Sequence, residues 1–377
     1  MPLPLYLLAL VVFAMGTSEF MLAGLVPDIA ASLDVPVASA GLLTSAFAVG
    51  MVVGAPLTAA WARRWPPRAT LVGLVAAFAV AHVVGALTTS YTVLLGTRAA
   101  AALANAGFLA VALSVAIRLV PADRQGRALA VLLAGTTVAT VAGVPGGAVL
   151  GALLGWRSTF WAVALLCVVA AVGLAAGLPT GAAPNGPRPA LRAELAQLRR
   201  PRLPLVMMLG ALVNAATFAT FTYLAPIVTG TAGLDALWVP VALVLFGAGS
   251  ALGVAAAGRL ADGHAGAVLG IGGPTLLAGW LGTALVAHVP AALLPLVFVQ
   301  GALSFAVGAT LIARVLREAH DAPTMGGSYA TAALNVGAAA GPAVAAAALG
   351  AGVLGPVLVS AGLVTLAFLV DLTQRAC

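Results

Sequence analysis

The chain is dominated by apolar runs of about 20 residues that are separated by short polar loops. A run of this length is what an α-helix needs to cross the hydrocarbon core of a bilayer. Twelve runs can be placed, at 4–25, 38–60, 69–88, 93–117, 128–151, 159–178, 204–228, 238–257, 267–287, 290–313, 325–349 and 353–371. We therefore predict an all-α membrane protein with twelve transmembrane helices, numbered here as spans 1 to 12.

The composition excludes a water-soluble domain. Of the 377 residues, 62% are hydrophobic and only 7% are charged, which leaves too little charge to cover a water-exposed surface. The two cysteines, Cys167 and Cys377, are too few for a disulfide framework. The first run lacks a basic segment before it and contains Glu19, so we interpret it as a retained span rather than a signal peptide.

The arginines indicate the topology. All 17 basic residues are Arg, and 15 of them fall in the tail or in loops that lie on one side if the spans alternate. Arg157 alone falls on the other side, and Arg98 lies within span 4. Basic loops mark the cytoplasmic side of a membrane protein. We therefore expect both termini in the cytoplasm of a bacterium, and we read the net charge of +7 as a topology signal rather than a nucleic-acid surface.

A long loop in the middle divides six spans from six. It covers residues 179–203, is rich in Pro and Gly at first, and then resembles a short amphipathic helix on the membrane surface. A repeat supports the division, because Gly50 and Gly54 of span 2 recur as Gly249 and Gly253 of span 8 at an offset of 199 residues. The predicted units are therefore a bundle at 1–178, the loop, and a second bundle at 204–377.

Span 5 carries the clearest packing pattern. Gly143 and Gly147 belong to a glycine stripe at multiples of four residues, and Pro145 between them should bend the helix. A bent helix with a smooth face could rock against a partner during gating. Ordinary close packing between helices would explain the same spacing.

Two ionisable residues lie at membrane depth, where a charge is costly and a functional role is the default hypothesis. Glu19 in span 1 and Arg98 in span 4 both fall toward the same face of the bilayer and can be level. A carboxyl group whose proton affinity depends on water, substrate or Arg98 is what proton coupling requires. The alternative is a static Glu19–Arg98 ion pair that braces the bundle.

Neutral polar residues at membrane depth are candidates for a substrate cavity. These are Asn105, Asn214, Tyr223, Gln300 and Asn335. Any one of them could instead bond across helices. His82 in span 3 is a weaker candidate for a proton relay, since an interior histidine usually has ordinary hydrogen-bond partners. No residue pattern predicts a metal site or a catalytic constellation.

Several of these motifs resemble the major facilitator superfamily. The run Gly143-Val144-Pro145-Gly146-Gly147 is similar to the antiporter motif of its proton-coupled drug exporters, and Arg98 matches their span 4 arginine, which the family associates with proton transfer. The run from Gly258 to Asp262 matches the C-terminal copy of the cytoplasmic gating motif. The N-terminal copy departs from the pattern, because Arg63 stands at the position equivalent to Asp262, which weakens the case for a symmetric charge latch.

A closer resemblance concerns the substrate. The run Met15-Gly16-Thr17-Ser18-Glu19-Phe20 resembles the subgroup that contains bacterial sugar and arabinose exporters and chloramphenicol exporters. The stretches from Ala101 to Leu113 and from Ala128 to Gly147 are most similar to chloramphenicol-resistance exporters of high-GC bacteria. The resemblance implies proton-coupled drug efflux by alternating access, without a cofactor and by a monomer. Export of a sugar or another metabolite by the same mechanism is the alternative. An intramembrane enzyme and a channel are disfavoured, because the spans hold no nucleophile–base pair and the repeat favours a cavity between two halves.

Overall fold

Twelve helices occupy the predicted spans in the computed structural model, which describes residues 1–61, 66–178, 194–260, 265–322 and 325–376. All twelve are long and apolar enough to cross a membrane, so the predicted fold class is confirmed. The first six are Leu3–Phe20, Val37–Trp61, Pro67–Leu87, Tyr91–Arg118, Gln125–Leu154 with one internal irregularity, and Trp156–Gly177. The second six are Arg202–Thr222, Trp238–Leu260, Ala265–Val286, Pro290–Glu318, Gly326–Ala348 and Gly355–Ala376.

Two spans of the first half depart from a regular α-helix. Span 1 tightens into a 3-10 turn at Met21–Gly24 and is followed by the short helix Val26–Leu33. Span 5 contains a π-helical turn at Ala139–Gly143, after which Val144–Leu154 continues as a helix. The irregularity of span 5 therefore lies just before Pro145, whose ring removes a backbone donor from the helical ladder.

The two halves repeat each other in their glycine contacts. A Cβ atom on Gly50 would lie 2.7 Å from the Cβ of Ala102 and would press on the backbone at Ala99 in span 4. Gly249 occupies the equivalent place in span 8, where a Cβ would lie 3.0 Å from the backbone N of Ala302 in span 10. Small residues allow such close approach of helices in lipid. Because span 2 packs on span 4 as span 8 packs on span 10, the repeat is a repeat of packing as well as of sequence.

The ends of the bundle differ in how tightly the halves meet. We call the end that joins spans 1–2, 3–4 and 5–6 the Arg-poor end, and the opposite one the Arg-rich end. At the Arg-poor end the Ser45 hydroxyl donates to the Ala339 carbonyl across the halves at 2.7 Å. Span 8 packs on the π-turn and the last helix of span 5, whereas Gln125–Val138 makes no comparable contact with the second half within the described residues. The halves are therefore closed at the Arg-poor end.

The described part of the middle loop packs on the second half. Residues 194–195 are helical and Ala196–Arg199 follows as a 3-10 turn, while residues 179–193, which include most of the predicted short amphipathic helix, lie outside the described residues. The Tyr329 hydroxyl donates to the Glu194 carbonyl at 2.8 Å. Arg200 pairs with Asp321 at 2.8 Å. The predicted boundaries of the three units stay a prediction.

Candidate functional site

Glu19 lies one residue before the end of the helix of span 1. Its side chain is half-buried, while Ser18 beside it is fully buried. Side chains of a helix lean toward its N-terminus, which directs Glu19 toward the Arg-rich end. There the Asn105 side chain lies beside the Glu19 carboxyl group. Glu19 is thus the acid that lies well inside a span, since the other acids within the described residues occupy loops or span ends.

Arg98 binds Ser18 rather than Glu19. One terminal nitrogen donates to the Ser18 hydroxyl at 2.8 Å and the other donates to the Ser18 carbonyl at 2.7 Å. The ion pairs of 4.0 Å or less among the described residues do not include Glu19 with Arg98. The direct ion pair weighed as an alternative is therefore not formed within 4.0 Å, because both terminal nitrogens of Arg98 are bonded to Ser18.

Aromatic rings close over the site from both halves. The Phe20 ring lies 5.7 Å from that of Phe218 and 6.2 Å from that of Phe221, and Phe221 lies 4.6 Å from Phe246, between ring centroids. On the first-half side, the guanidinium carbon of Arg98 lies 4.5 Å from the centre of the Phe47 ring. Such contacts stabilise a buried cation and exclude water from the closed end.

The neutral polar candidates are not brought together as one cavity wall. Asn105 alone reaches Glu19. Asn214 donates to the Leu334 carbonyl at 2.7 Å and Asn335 donates to Thr331 of its own helix at 3.0 Å. Gln300 donates to the Leu276 carbonyl at 3.3 Å, beside a small cavity inside the second half that Phe221, Phe246 and Trp280 also line. Asn214 and Gln300 therefore bond across helices within one half.

Tyr223 departs most from its predicted place. The helix of span 7 ends at Thr222, and the Tyr223 side chain turns into the contact between the halves, where it is fully buried. Its hydroxyl lies 3.3 Å from the Ala38 carbonyl and 3.2 Å from the Pro342 carbonyl. A Cβ on Gly41 would overlap the tyrosine ring, so the absence of a side chain there makes room for it. Tyr223 is thus a bridge at the closed Arg-poor end rather than a residue on an open cavity wall.

The glycines of span 5 pack within the first half. A Cβ on Gly143 would overlap the Thr17 hydroxyl of span 1, and a Cβ on Gly147 would lie 2.9 Å from Thr159 of span 6. The contact between halves uses the neighbouring face, where Gly247 of span 8 approaches the carbonyl group of Thr140. The stripe therefore positions span 5 against spans 1 and 6 of the same half, and the contact with the second half lies beside it.

Gly258, the one remaining gating candidate among the described residues, lies at the Arg-rich end. No neighbouring atom lies within 4 Å of where a Cβ on Gly258 would stand. Arg63 and Asp262 lie outside the described residues, so their predicted roles stay predictions. Among the described residues no group of three or more His, Cys, Asp and Glu side chains could hold a metal ion.

Two residues with important contacts, Ser18 and Gly247, carry no sequence pattern that singles them out. Ser18 is an ordinary small residue in a helix, yet it receives the Arg98 guanidinium through both its hydroxyl and its carbonyl. Gly247 stands in a glycine-rich segment in which neighbours face another helix of the same half. Only the tertiary contact distinguishes either one.

Comparison with known proteins agrees with this architecture. Residues 8–273 match the Major Facilitator Superfamily, and this match spans well over half of the chain. The chain belongs to the major facilitator superfamily. The chloramphenicol resistance protein of Streptomyces lividans is a relative that is 67% identical over 100% of this chain and 97% of its own length. The inner membrane transport protein YdhP of Escherichia coli K12 is 35% identical over 93% of this chain and 89% of its own length.

Solved structures support the superfamily fold. The nucleoside transporter NupG matches with a TM-score of 0.82 at 14% identity, covering 98% of each chain. A bacterial homologue of the human lysosomal transporter Spinster, in an inward-facing and occupied conformation, matches with a TM-score of 0.75 at 18% identity. That match covers 97% of this chain and 96% of the homologue. At such identities the likeness concerns the fold alone.

Proposed function

We propose that the chain exports a small drug, chloramphenicol or a related phenicol, in exchange for protons by alternating access. The observation that carries the proton exchange is the Glu19 carboxyl group, which is largely buried inside a span and has no ion pair of 4.0 Å or less with Arg98. The substrate class rests on the full-length similarity to a protein named for chloramphenicol resistance. The proton gradient supplies the energy, so the proposal includes no cofactor, and a single chain carries out the whole cycle.

The orientation follows from the arginines. The Arg-rich end faces the cytoplasm under the positive-inside rule, which puts both termini there. With this orientation, closure at the Arg-poor end and the lack of comparable contacts by Gln125–Val138 correspond to an inward-facing carrier. In this state the drug enters from the cytoplasm or the inner leaflet and Glu19 releases its proton to the cytoplasm.

The second half of the transport cycle requires the Arg-poor end to open. When the Arg-poor end opens, Glu19 takes a proton from the exterior and the drug leaves. Protonation neutralises the one acid that lies well inside a span, so the closed, protonated carrier turns inward without a buried charge at this position. Asn105 holds the carboxyl group in place during both transfers.

A single titrating acid suits a neutral substrate. Exchange of one proton for a neutral drug moves one net charge, which at about 150 mV supplies about 3.5 kcal/mol. This energy supports a drug gradient of a few hundred-fold, since about 1.4 kcal/mol corresponds to tenfold. A monovalent cationic drug exchanged for one proton would gain nothing from the membrane voltage.

The test is uptake into everted vesicles from cells that express the chain. We expect labelled chloramphenicol to accumulate when the vesicle interior is acidic, and a protonophore to abolish the accumulation. Vesicles without the chain are the control for passive entry. Uptake of a labelled pentose under the same gradient, with no uptake of chloramphenicol, would instead support the metabolite exporter.

A further inference from the structure

His82 of span 3 is tied to the same serine that holds Arg98. Its Nε2 atom lies 2.7 Å from the Ser18 hydroxyl, and its Nδ1 atom lies 2.8 Å from the Phe78 carbonyl of its own helix. His82 and Arg98 are each about 1% exposed, and Ser18 is fully buried. Three spans therefore meet at one serine hydroxyl in the interior of the first half.

The partners determine which atoms carry protons. A carbonyl oxygen only accepts, so Nδ1 of His82 donates to Phe78, which leaves Nε2 of a neutral ring as an acceptor. An imidazolium ring here would add a second positive charge next to Arg98. The Ser18 hydroxyl hence donates its hydrogen to His82 and accepts a hydrogen bond from Arg98. The hydrogen bonds therefore run from Arg98 to Ser18 and from Ser18 to His82.

This arrangement leaves Glu19 apart from Arg98. The two terminal nitrogens of Arg98 are engaged by Ser18, and its Nε atom is buried without a partner. If the serine hydroxyl turned away, the guanidinium would lose one of its two contacts in a region where an unpaired donor is costly. The Glu19 carboxylate is the nearby group that would replace it.

We propose that His82 is a positioning residue for the proton exchange: it orients the Ser18 hydroxyl as an acceptor and so holds Arg98 away from Glu19. The proposal rests on the proposed function, because it assigns the exchanged proton to Glu19. His82 itself takes up and releases no proton in the cycle. Its effect is indirect, through the distance between a cation and a carboxyl group.

The surroundings of His82 contain few other charges. Span 1 presents Ser18, span 4 presents Arg98, and span 6 presents the Phe160 ring at 5.6 Å from the imidazole centre. Phe78 of its own helix stacks at 4.3 Å. Glu19 and Arg98 are thus the ionisable groups on which the His82 hydrogen bond can act.

The test compares the pH profile of transport by His82→Leu and His82→Gln in everted vesicles. In His82→Leu the hydroxyl loses its acceptor and is expected to turn toward a carbonyl of its own helix. Arg98 then pairs with Glu19, which favours the charged carboxylate. We expect the pH of half-maximal transport to fall by about one unit, a tenfold change in proton concentration. His82→Gln keeps an acceptor and a donor, so its midpoint stays near that of the parent chain.

Two further variants separate positioning from packing. Ser18→Ala removes the shared hydroxyl and should shift the midpoint in the same direction, which keeps the test valid if His82→Leu does not fold. Phe160→Leu loosens the packing of the ring without removing a hydrogen bond, so it should alter the rate or the yield but not the midpoint. A midpoint that does not move in His82→Leu or in Ser18→Ala overturns the proposal.

Failure of the two proposals can be told apart. If Glu19→Gln retains proton-coupled transport, the proposed function fails whatever the His82 variants do. If coupling requires Glu19 but the midpoint is the same in His82→Leu, Ser18→Ala and the parent chain, only the positioning role is refuted. Loss of the shift in the double variant Ser18→Ala/His82→Leu would likewise contradict it, since two changes to one hydrogen bond should equal either alone.

Discussion

Removing the Tyr223 hydroxyl should loosen the closed Arg-poor end. This hydroxyl is shared between the Ala38 carbonyl of the first half and the Pro342 carbonyl of the second, at 3.3 Å and 3.2 Å. Tyr223→Phe keeps the ring that fills the space at Gly41 and removes only the bridging donor. One hydrogen bond contributes about 1 kcal/mol net, so the ratio of closed to open Arg-poor ends should fall about fivefold.

The assay measures the distance between the halves directly. Nitroxide labels on cysteines introduced at Thr89 and Ala236 occupy exposed positions in loops at the Arg-poor end of the first and second half, and Cys377→Ser removes the terminal thiol. Double electron–electron resonance in detergent or nanodiscs then reports the closed and open populations. Cys167 is buried and should not be labelled.

A matched control comes from a second tyrosine near the same end. The Tyr91 hydroxyl donates to the Ser39 carbonyl at 2.7 Å, and both residues belong to the first half. Tyr91→Phe therefore removes a similar bond without touching the contact between halves, and its distance distribution should match that of the parent chain. An unchanged distribution in Tyr223→Phe, or an equal shift in both variants, would refute the bridging role.

Three further predictions concern packing and protonation. Gly249→Ala should lower the free energy of unfolding in detergent by about 1–3 kcal/mol, because its Cβ would overlap the backbone of span 10. Gly73→Ala has open space around its Cβ and should leave this free energy unchanged. Equal free energies of unfolding for the two variants would contradict the packing. Gly247→Val should shift the same pair of labels toward the open Arg-poor end, because the added side chain would displace the carbonyl group of Thr140. Partial desolvation raises the pKa of Asp28, a surface-exposed residue outside the spans, so the folded state binds this proton more tightly and loses a small part of its stability as the pH rises from the unfolded-state to the folded-state pKa. Asp28→Asn should flatten that loss in unfolding curves measured across pH, and an unchanged slope would contradict it.

The spans and their order are predictable from the sequence because the bilayer imposes length and apolarity on every helix. The clearest difference lies in span 7, where the first helix ends at Thr222 and helical backbone resumes at Leu224–Pro226 and in the π-helical turn Ile227–Thr231, so the span reaches its predicted end near residue 228 with an unpredicted break at Tyr223. Tyr223-Leu224-Ala225 is as apolar as the helix before it, so hydropathy alone carries no signal for the break. The break arises because the tyrosine packs into the other half.

The candidate site was predictable only in part. The cost of a charge in lipid singles out Glu19 and Arg98 without any structure. The absence of a direct ion pair between Glu19 and Arg98 could not be predicted from the sequence. Arg98 binds the main-chain carbonyl of Ser18, and every residue has such a carbonyl, so no sequence pattern marks it. The part played by His82 depends on a hydrogen bond between residues 64 positions apart, which no local pattern encodes.

The glycines illustrate the same limit from the packing side. Their spacing predicts a smooth helical face, and each predicted stripe does face a helix at close range. The spacing does not state which helix. In span 5 the stripe faces spans 1 and 6 of the same half, and the contact between halves is made through Gly247 of span 8.

The central claim, that the Glu19 carboxyl group carries the exchanged proton, is tested most directly in proteoliposomes of the purified chain. The measurement is the number of protons moved per chloramphenicol molecule, with Asp34→Asn as the control acid. Asp34 lies at the end of a short helix outside the spans and has a left-handed backbone with φ of 52°, a conformation that Asn tolerates well. We predict that proton movement coupled to the drug disappears in Glu19→Gln and persists in Asp34→Asn. Drug-dependent proton movement by Glu19→Gln at the level of the parent chain would contradict the claim.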